Sequence, residues 1–127
     1  TNTLSNVPGI ELIVLGGSLQ PDGNTIDGPL ALDNIDKLTV EVVFFSCSGF
    51  DVDYVYNPGM IGTNIKRVLI KKAPKRVLLA TSEKFGVKDF FSICSTRDVD
   101  VVVTDGGMNE SSRQLLRSIG VDLLVAD

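Results

Sequence analysis

The 127-residue chain has no histidine, no tryptophan and only two cysteines. Without histidine there can be no Ser-His-Asp or Cys-His catalysis and no His-ligated metal. Two cysteines are too few for a Cys-rich zinc site. Any acid–base chemistry has to rest on Asp, Glu, Lys, Tyr or Cys. Basic charge is also in deficit: 12 Lys and Arg stand against 16 Asp and Glu, for a net charge of −4. A domain that grips duplex DNA needs a basic face, so this balance argues against direct DNA contact. No apolar run approaches the roughly 18 residues of a transmembrane helix. The first residues are polar and lack the basic stretch that opens a secretory signal. These absences predict a cytoplasmic chain, away from membranes, whose thiols pack as small hydrophobes.

What is present is 43% apolar sequence, cut into short pieces. The length suits one domain with its own core. Apolar runs at Ile10–Leu15, Val40–Phe45, Val77–Ala80, Val99–Val103 and Val121–Val125 are bounded by Gly, Asp and Ser. They are β-branched and continuous rather than alternating, which predicts strands covered on both faces of a parallel sheet. Helical spacing lies between them. Leu30, Ala31, Asn34, Ile35 and Leu38 follow the start signal Asp27-Gly28-Pro29, with Pro29 at the first helical position. Ile61, Ile65, Val68, Leu69 and Ala73 make a second stripe, stopped by Pro74. Val87–Ile93 predicts a helical turn or two. Leu115, Leu116 and Ile119 mark a last helix, capped by Asn109 or Ser111 and closed by Gly120. The order predicts an α/β fold: an open, mostly parallel sheet with right-handed crossovers and helices on both faces. A short polar stretch ahead of a buried-looking strand predicts that the sequence begins inside a larger protein.

Open α/β sheets bind ligands beyond the carboxyl ends of their strands. Four predicted strands end there in small or polar groups: Gly16-Gly17-Ser18, Ser46-Cys47-Ser48-Gly49, Thr81-Ser82-Glu83-Lys84 and Thr104-Asp105-Gly106-Gly107. Turns need glycine, which accounts for any one pair. Four such ends on one rim point to a polar ligand site. The site is not a dinucleotide fold: Gly16-Gly17 is followed by Ser18-Leu19-Gln20, which breaks G-x-G-x-x-G, and no Walker A sequence occurs. No cofactor or metal is expected.

Six of the 12 basic residues lie between positions 66 and 76. A solvated helix face accounts for Lys71, Lys72 and Lys75. Lys66, beside Ile65 in the first half of its helix, is the candidate to point into a site, together with Lys84 directly after a strand end. Asp105 has three readings: a strand terminator, an acceptor for ligand hydroxyls, or an ion-pair partner for Lys84. Cys47 reads as a packed thiol, since nothing but lysines or a helix dipole could activate it. Tyr54 and Tyr56 read either as a loop over the ligand or as ordinary loop anchors.

In combination these segments resemble the effector-sensing domain of DeoR-type bacterial repressors. The resemblance rests on Glu11–Gly17 followed by Gly28-Pro29-Leu30-Ala31, on Phe44–Asp51, on the Lys66 helix, on Ser82–Gly86 and on Val102–Asp105. It runs in order from about Glu11 to the end. It implies a fold similar to ribose-phosphate isomerases, glucosamine-phosphate deaminases and CoA transferases. It implies a domain that binds a phosphorylated sugar, without turnover, and relieves repression exerted through an N-terminal helix-turn-helix. By position it places Gly16, Gly17, Gly28, Ser48, Gly49, Lys66, Lys84 and Asp105 on the ligand rim, and it implies a homo-oligomer, commonly a dimer or tetramer. Two departures accompany it. Residues 1–127 read as one partial sensing domain, without the helix-turn-helix and without the family's Asp-x-Gly-Thr-Thr phosphate loop. Gly62 and Thr63 stand where the family tends to carry a glutamate, one turn before the helix lysine. The alternatives are a sugar-phosphate isomerase or deaminase of the same fold, with Asp105 or Glu83 as base, and an interaction fold with a vestigial site.

Overall fold

The computed structural model describes residues 3–126. Its centre is a parallel sheet of four strands in the order β3-β6-β8-β9, where β3 is Val42–Phe45, β6 Lys75–Leu79, β8 Val101–Asp105 and β9 Asp122–Ala126. Four of the five apolar runs thus become neighbouring strands. Three helices accompany them: α1 Pro29–Asp36, α2 Thr63–Lys72 and α3 Glu110–Ser118. A hairpin of β1 (Ser18–Leu19) and β2 (Ile26–Asp27) precedes α1. A second sheet, antiparallel, pairs β4 (Gly49–Phe50), β5 (Tyr54–Asn57) and β7 (Phe91–Ser95).

Register decides which side chains share a face. Phe45, Leu78, Val102 and Leu123 form one row across the parallel sheet. The first three are at most 6% exposed and pack with Ile70 and Ala73 at the end of α2 and with Leu116 of α3. Each such side chain contributes about 1.5–3 kcal/mol of burial. The expected open parallel sheet with accompanying helices is present, and the register adds how its cover is distributed. Sheet order follows chain order, so right-handed crossovers send α2 and α3 to the same side. On the opposite side, Phe44, Leu79 and Leu124 remain 65%, 44% and 59% exposed.

Helix ends follow the residues that mark them. Pro29 opens α1 after Gly28, which has φ +95°. Pro74 stops α2 by forcing Ala73 into an extended conformation. Asn109 caps α3 by accepting from the Ser112 N–H at 2.9 Å, and Gly120 turns the chain at φ +88°.

Three expectations are corrected. Ile10–Leu15 is not a strand. It runs irregularly beside Thr39–Val42, no ladder bond joins it to β3 among the described residues, and Ile13 and Val14 stay exposed. Hydropathy records what a residue would bury, not whether a backbone partner lies within reach. Val87–Ile93 forms no helix. Gly86 at φ +86° turns the chain, the Val87 backbone lies over Gly49, and the segment continues into β7. Tyr54 and Tyr56 lie on β5, not on a loop; Tyr56 donates to Asp51 at 3.2 Å.

Candidate functional site

The carboxyl ends of β6 and β8 open into a cavity of about 390 Å³. Leu79, Val103 and Ala126 give it an apolar floor, and Thr81, Lys84 and Asp105 supply polar groups. Asp105 is fixed from both sides. Its Oδ2 accepts from the Ser82 N–H at 2.9 Å, and its Oδ1 from the Gly107 N–H at 2.8 Å. The Ser82 side chain and these two amides hold its carboxyl down at about 2, so it is a permanent anion at neutral pH. Asp105 and Lys84 do not form an ion pair among the described residues. Thr104, buried beside the same cavity, carries a hydroxyl with no hydrogen-bond partner.

Lys84 bonds a backbone carbonyl rather than Asp105. It ends the 3-10 turn Ser82–Lys84, and its Nζ donates to the carbonyl of Cys47 at 2.8 Å. Lys66 takes the preceding carbonyl, donating to Ser46 O at 2.8 Å and to Asn57 Oδ1 at 3.2 Å. Two ammonium groups therefore sit on consecutive peptide carbonyls just past β3. Burial is the main cause that pushes the Lys66 ammonium below its ordinary range, and the charge of Lys84 adds to it. Burial also raises the Cys47 thiol, against the pull of both lysines, so Cys47 stays protonated and packed.

Behind Lys66 lies a buried relay that sequence reasoning did not find. Asn57 Nδ2 donates to Thr63 Oγ1 at 2.9 Å, and Thr63 Oγ1 donates to Gly59 O at 2.6 Å. Asn57 is 5% exposed and Thr63 is fully buried. Nothing in the sequence around Asn57-Pro58-Gly59 says that the amide turns inward. A second cavity, about 500 Å³, opens in front of Lys66 between this loop and Asp22 and Thr25 of the hairpin.

The other expected residues are placed as follows. Ser48 borders Cys47 and its hydroxyl donates to Tyr56 O at 3.2 Å. Gly49 is packed so tightly under Val87 that a Cβ would strike backbone. Gly28 donates its N–H to Asp27. Gly16 accepts from Asn34 of α1, and Gly17 leaves room for Ile26 and Ala31. Gly16 and Gly17 line neither cavity, because the run before them is not a strand of the sheet. Lys72 departs from a solvated face: it donates to Asp36 O and Leu38 O, both at 2.9 Å, and ties α2 to the end of α1.

Residues 1–106 match the family model of the DeoR C terminal sensor domain. The chain belongs to this family. The DeoR sensor match contains both lysines, the Asn57–Thr63 relay and Asp105. Relatives include the uncharacterized HTH-type transcriptional regulator YulB of Bacillus subtilis, 34% identical over 118 residues, which cover 89% of this chain and 44% of that protein. The HTH-type transcriptional repressor GlcR of Bacillus subtilis is 30% identical over 131 residues, covering 99% and 49%. The HTH-type transcriptional regulator GlpR of Haloferax volcanii is 27% identical over 115 residues, covering 90% and 45%. The chain spans under half the length of these relatives. In this DeoR sensor domain one cavity presents Lys84 and the fixed anion Asp105, and the other presents Lys66. That set suits an anionic, hydroxylated ligand. It suits proton abstraction poorly, since a general base works best with a pKa near the ambient pH.

Proposed function

We propose that this DeoR sensor domain binds a phosphorylated sugar at the carboxyl rim of its parallel sheet, without turning it over. Within a longer, homo-oligomeric repressor, that binding would alter affinity for operator DNA through an N-terminal helix-turn-helix. The observation that carries the reading is the seating of Lys66 and Lys84 on the consecutive carbonyls of Ser46 and Cys47. A phosphate offers both ammonium groups a stronger, charged acceptor than a peptide carbonyl. Ser48 and the Asp105 carboxylate are at hand for sugar hydroxyls. Transfer of either lysine to the ligand frees a carbonyl beside the buried Cys47, which links occupancy to the end of β3. Sensing requires only that the ligand favour one arrangement, by a coupling of about 1–3 kcal/mol.

An isomerase or deaminase needs a base, and the rim carboxylates offer a poor one. Asp105 titrates near 2, and Glu83 lies on the exposed 3-10 turn, 3.4 Å from the Thr81 hydroxyl. The test is calorimetry and thermal denaturation with ribose 5-phosphate, fructose 6-phosphate and glucosamine 6-phosphate, each against its unphosphorylated sugar. Stabilisation by one phosphorylated sugar alone is expected, abolished in Lys84→Glu while the variant stays folded. No response to any phosphorylated sugar, or an unchanged response in Lys84→Glu, would refute the reading. Sustained turnover followed by NMR would favour the enzyme.

A further inference from the structure

The helices α1 and α2 both begin on glycines that lack a capping side chain of their own. Gly28 stands at the start of α1 with φ +95°, and Gly62 at the start of α2 with φ +75°. Helix starts leave N–H groups without intrahelical acceptors. Here a single carboxylate serves both. Asp27 Oδ1 accepts from the Gly28 N–H at 2.7 Å, and Asp27 Oδ2 accepts from the Gly62 N–H at 2.8 Å, across 35 positions of chain. The positive ends of two helix dipoles thus meet on one negative charge.

The location gives this bridge its consequence. Asp27 is the last residue of the β1-β2 hairpin, which contributes Asp22 and Thr25 to one wall of the Lys66 cavity. The opposite wall is the loop Asn57–Ile61 leading into α2. Among the described residues, the Asp27–Gly62 bond is the hydrogen bond that joins these two walls. A Cβ at Gly62 would come within 3.8 Å of the Thr25 methyl, so the two walls lie side by side there. Asp22 is turned inward on its own hairpin, accepting from Asn24 N, Thr25 N and Thr25 Oγ1.

We infer that Asp27 is the positioning residue of the Lys66 cavity: by capping α1 and α2 together it fixes the gap between hairpin and α2 loop through which a ligand meets Lys66. For its ligand this rests on the sensing function proposed above; the clamp itself does not. The test joins amide exchange to binding. In Asp27→Ala the Gly28 and Gly62 amides should exchange about tenfold faster or more, the loss expected for a charged acceptor. In Asp27→Asn, which keeps one acceptor oxygen, one of the two should remain protected. Val102 in the core row should keep its protection in both variants. Wild-type protection of Gly28 and Gly62 in Asp27→Ala would overturn the clamp.

Binding of fructose 6-phosphate, or whichever of the three sugars responds, is then measured in a double-mutant cycle. Asp27→Asn should weaken it about five- to tenfold. The loss should vanish in a Lys66→Met background and persist in a Lys84→Met background. Equal loss in all three backgrounds would mean a general structural effect and would overturn the positioning role. A wild-type domain that binds none of the probes would sink the sensing reading, while the exchange result would still decide the clamp.

Discussion

Thr63→Val replaces a hydroxyl with a methyl group at almost constant volume, in a side chain with no solvent exposure. The hydroxyl has two partners, Gly59 O at 2.6 Å and Asn57 Nδ2 at 2.9 Å. A neutral hydrogen bond contributes about 1 kcal/mol net, and a buried donor left without an acceptor costs about 1–3 kcal/mol. The Gly59 carbonyl is half-buried and can turn to water. The Asn57 amide, 5% exposed and bonded to Lys66 on its other side, cannot. The expected loss is therefore about 3 kcal/mol, or roughly 10 °C in Tm for a domain of this size. The chain has no tryptophan, so urea unfolding is best followed by far-UV circular dichroism. The slope against urea should not change, because the surface exposed on unfolding does not. Thr63→Ser keeps both bonds and loses only a methyl group, for about 1 kcal/mol. A Thr63→Val variant within about 0.5 kcal/mol of wild type, or a Thr63→Ser variant less stable than it, would refute the relay.

Three further outcomes are expected. Asp105 titrates near 2 when folded, below its ordinary 3.8, so its contribution is complete above about pH 4 and fades as pH falls through 2; acid unfolding of wild type and Asp105→Asn should converge over that window, and parallel curves would contradict the two amide bonds. Burial is the largest cause raising both thiols, Cys94 to about 12, so a disulfide reagent at pH 7.5 should label the native domain slowly and the urea-unfolded chain fully; rapid labelling of Cys47 would contradict its packing. Gly49→Ala places a Cβ against the Val87 backbone and should cost about 1–3 kcal/mol, whereas Gly106→Ala meets nothing within 4 Å and should leave urea stability unchanged.

How far the sequence leads depends on how local each signal is. The strands β3, β6, β8 and β9 are legible because burial on one or both faces leaves an apolar run, and α1, α2 and α3 because Pro29, Pro74, Asn109 and Gly120 act on their immediate neighbours. The sheet of β4, β5 and β7 is not legible: β4 has two residues, too few to show a period, and β5 is interrupted by a bulge between Val55 and Tyr56. Ile10–Leu15 has the composition of a strand and no ladder partner. The same division runs through the candidate site. Lys84 and Asp105 follow strand ends, and strand ends can be read, so their meeting at one cavity follows from sheet order alone. The groups that aim Lys66 depend on contacts across the chain: Asn57 and Thr63 through a turned-in amide, Asp27 through an amide 35 positions away. A carboxylate beside Gly28-Pro29 reads as part of a local helix start signal. Only when α2 starts within 2.8 Å of it does the same residue become the joint between two walls of a cavity. Cations and anions of a site can therefore be nominated from sequence, while the residues that set their distances emerge from the fold.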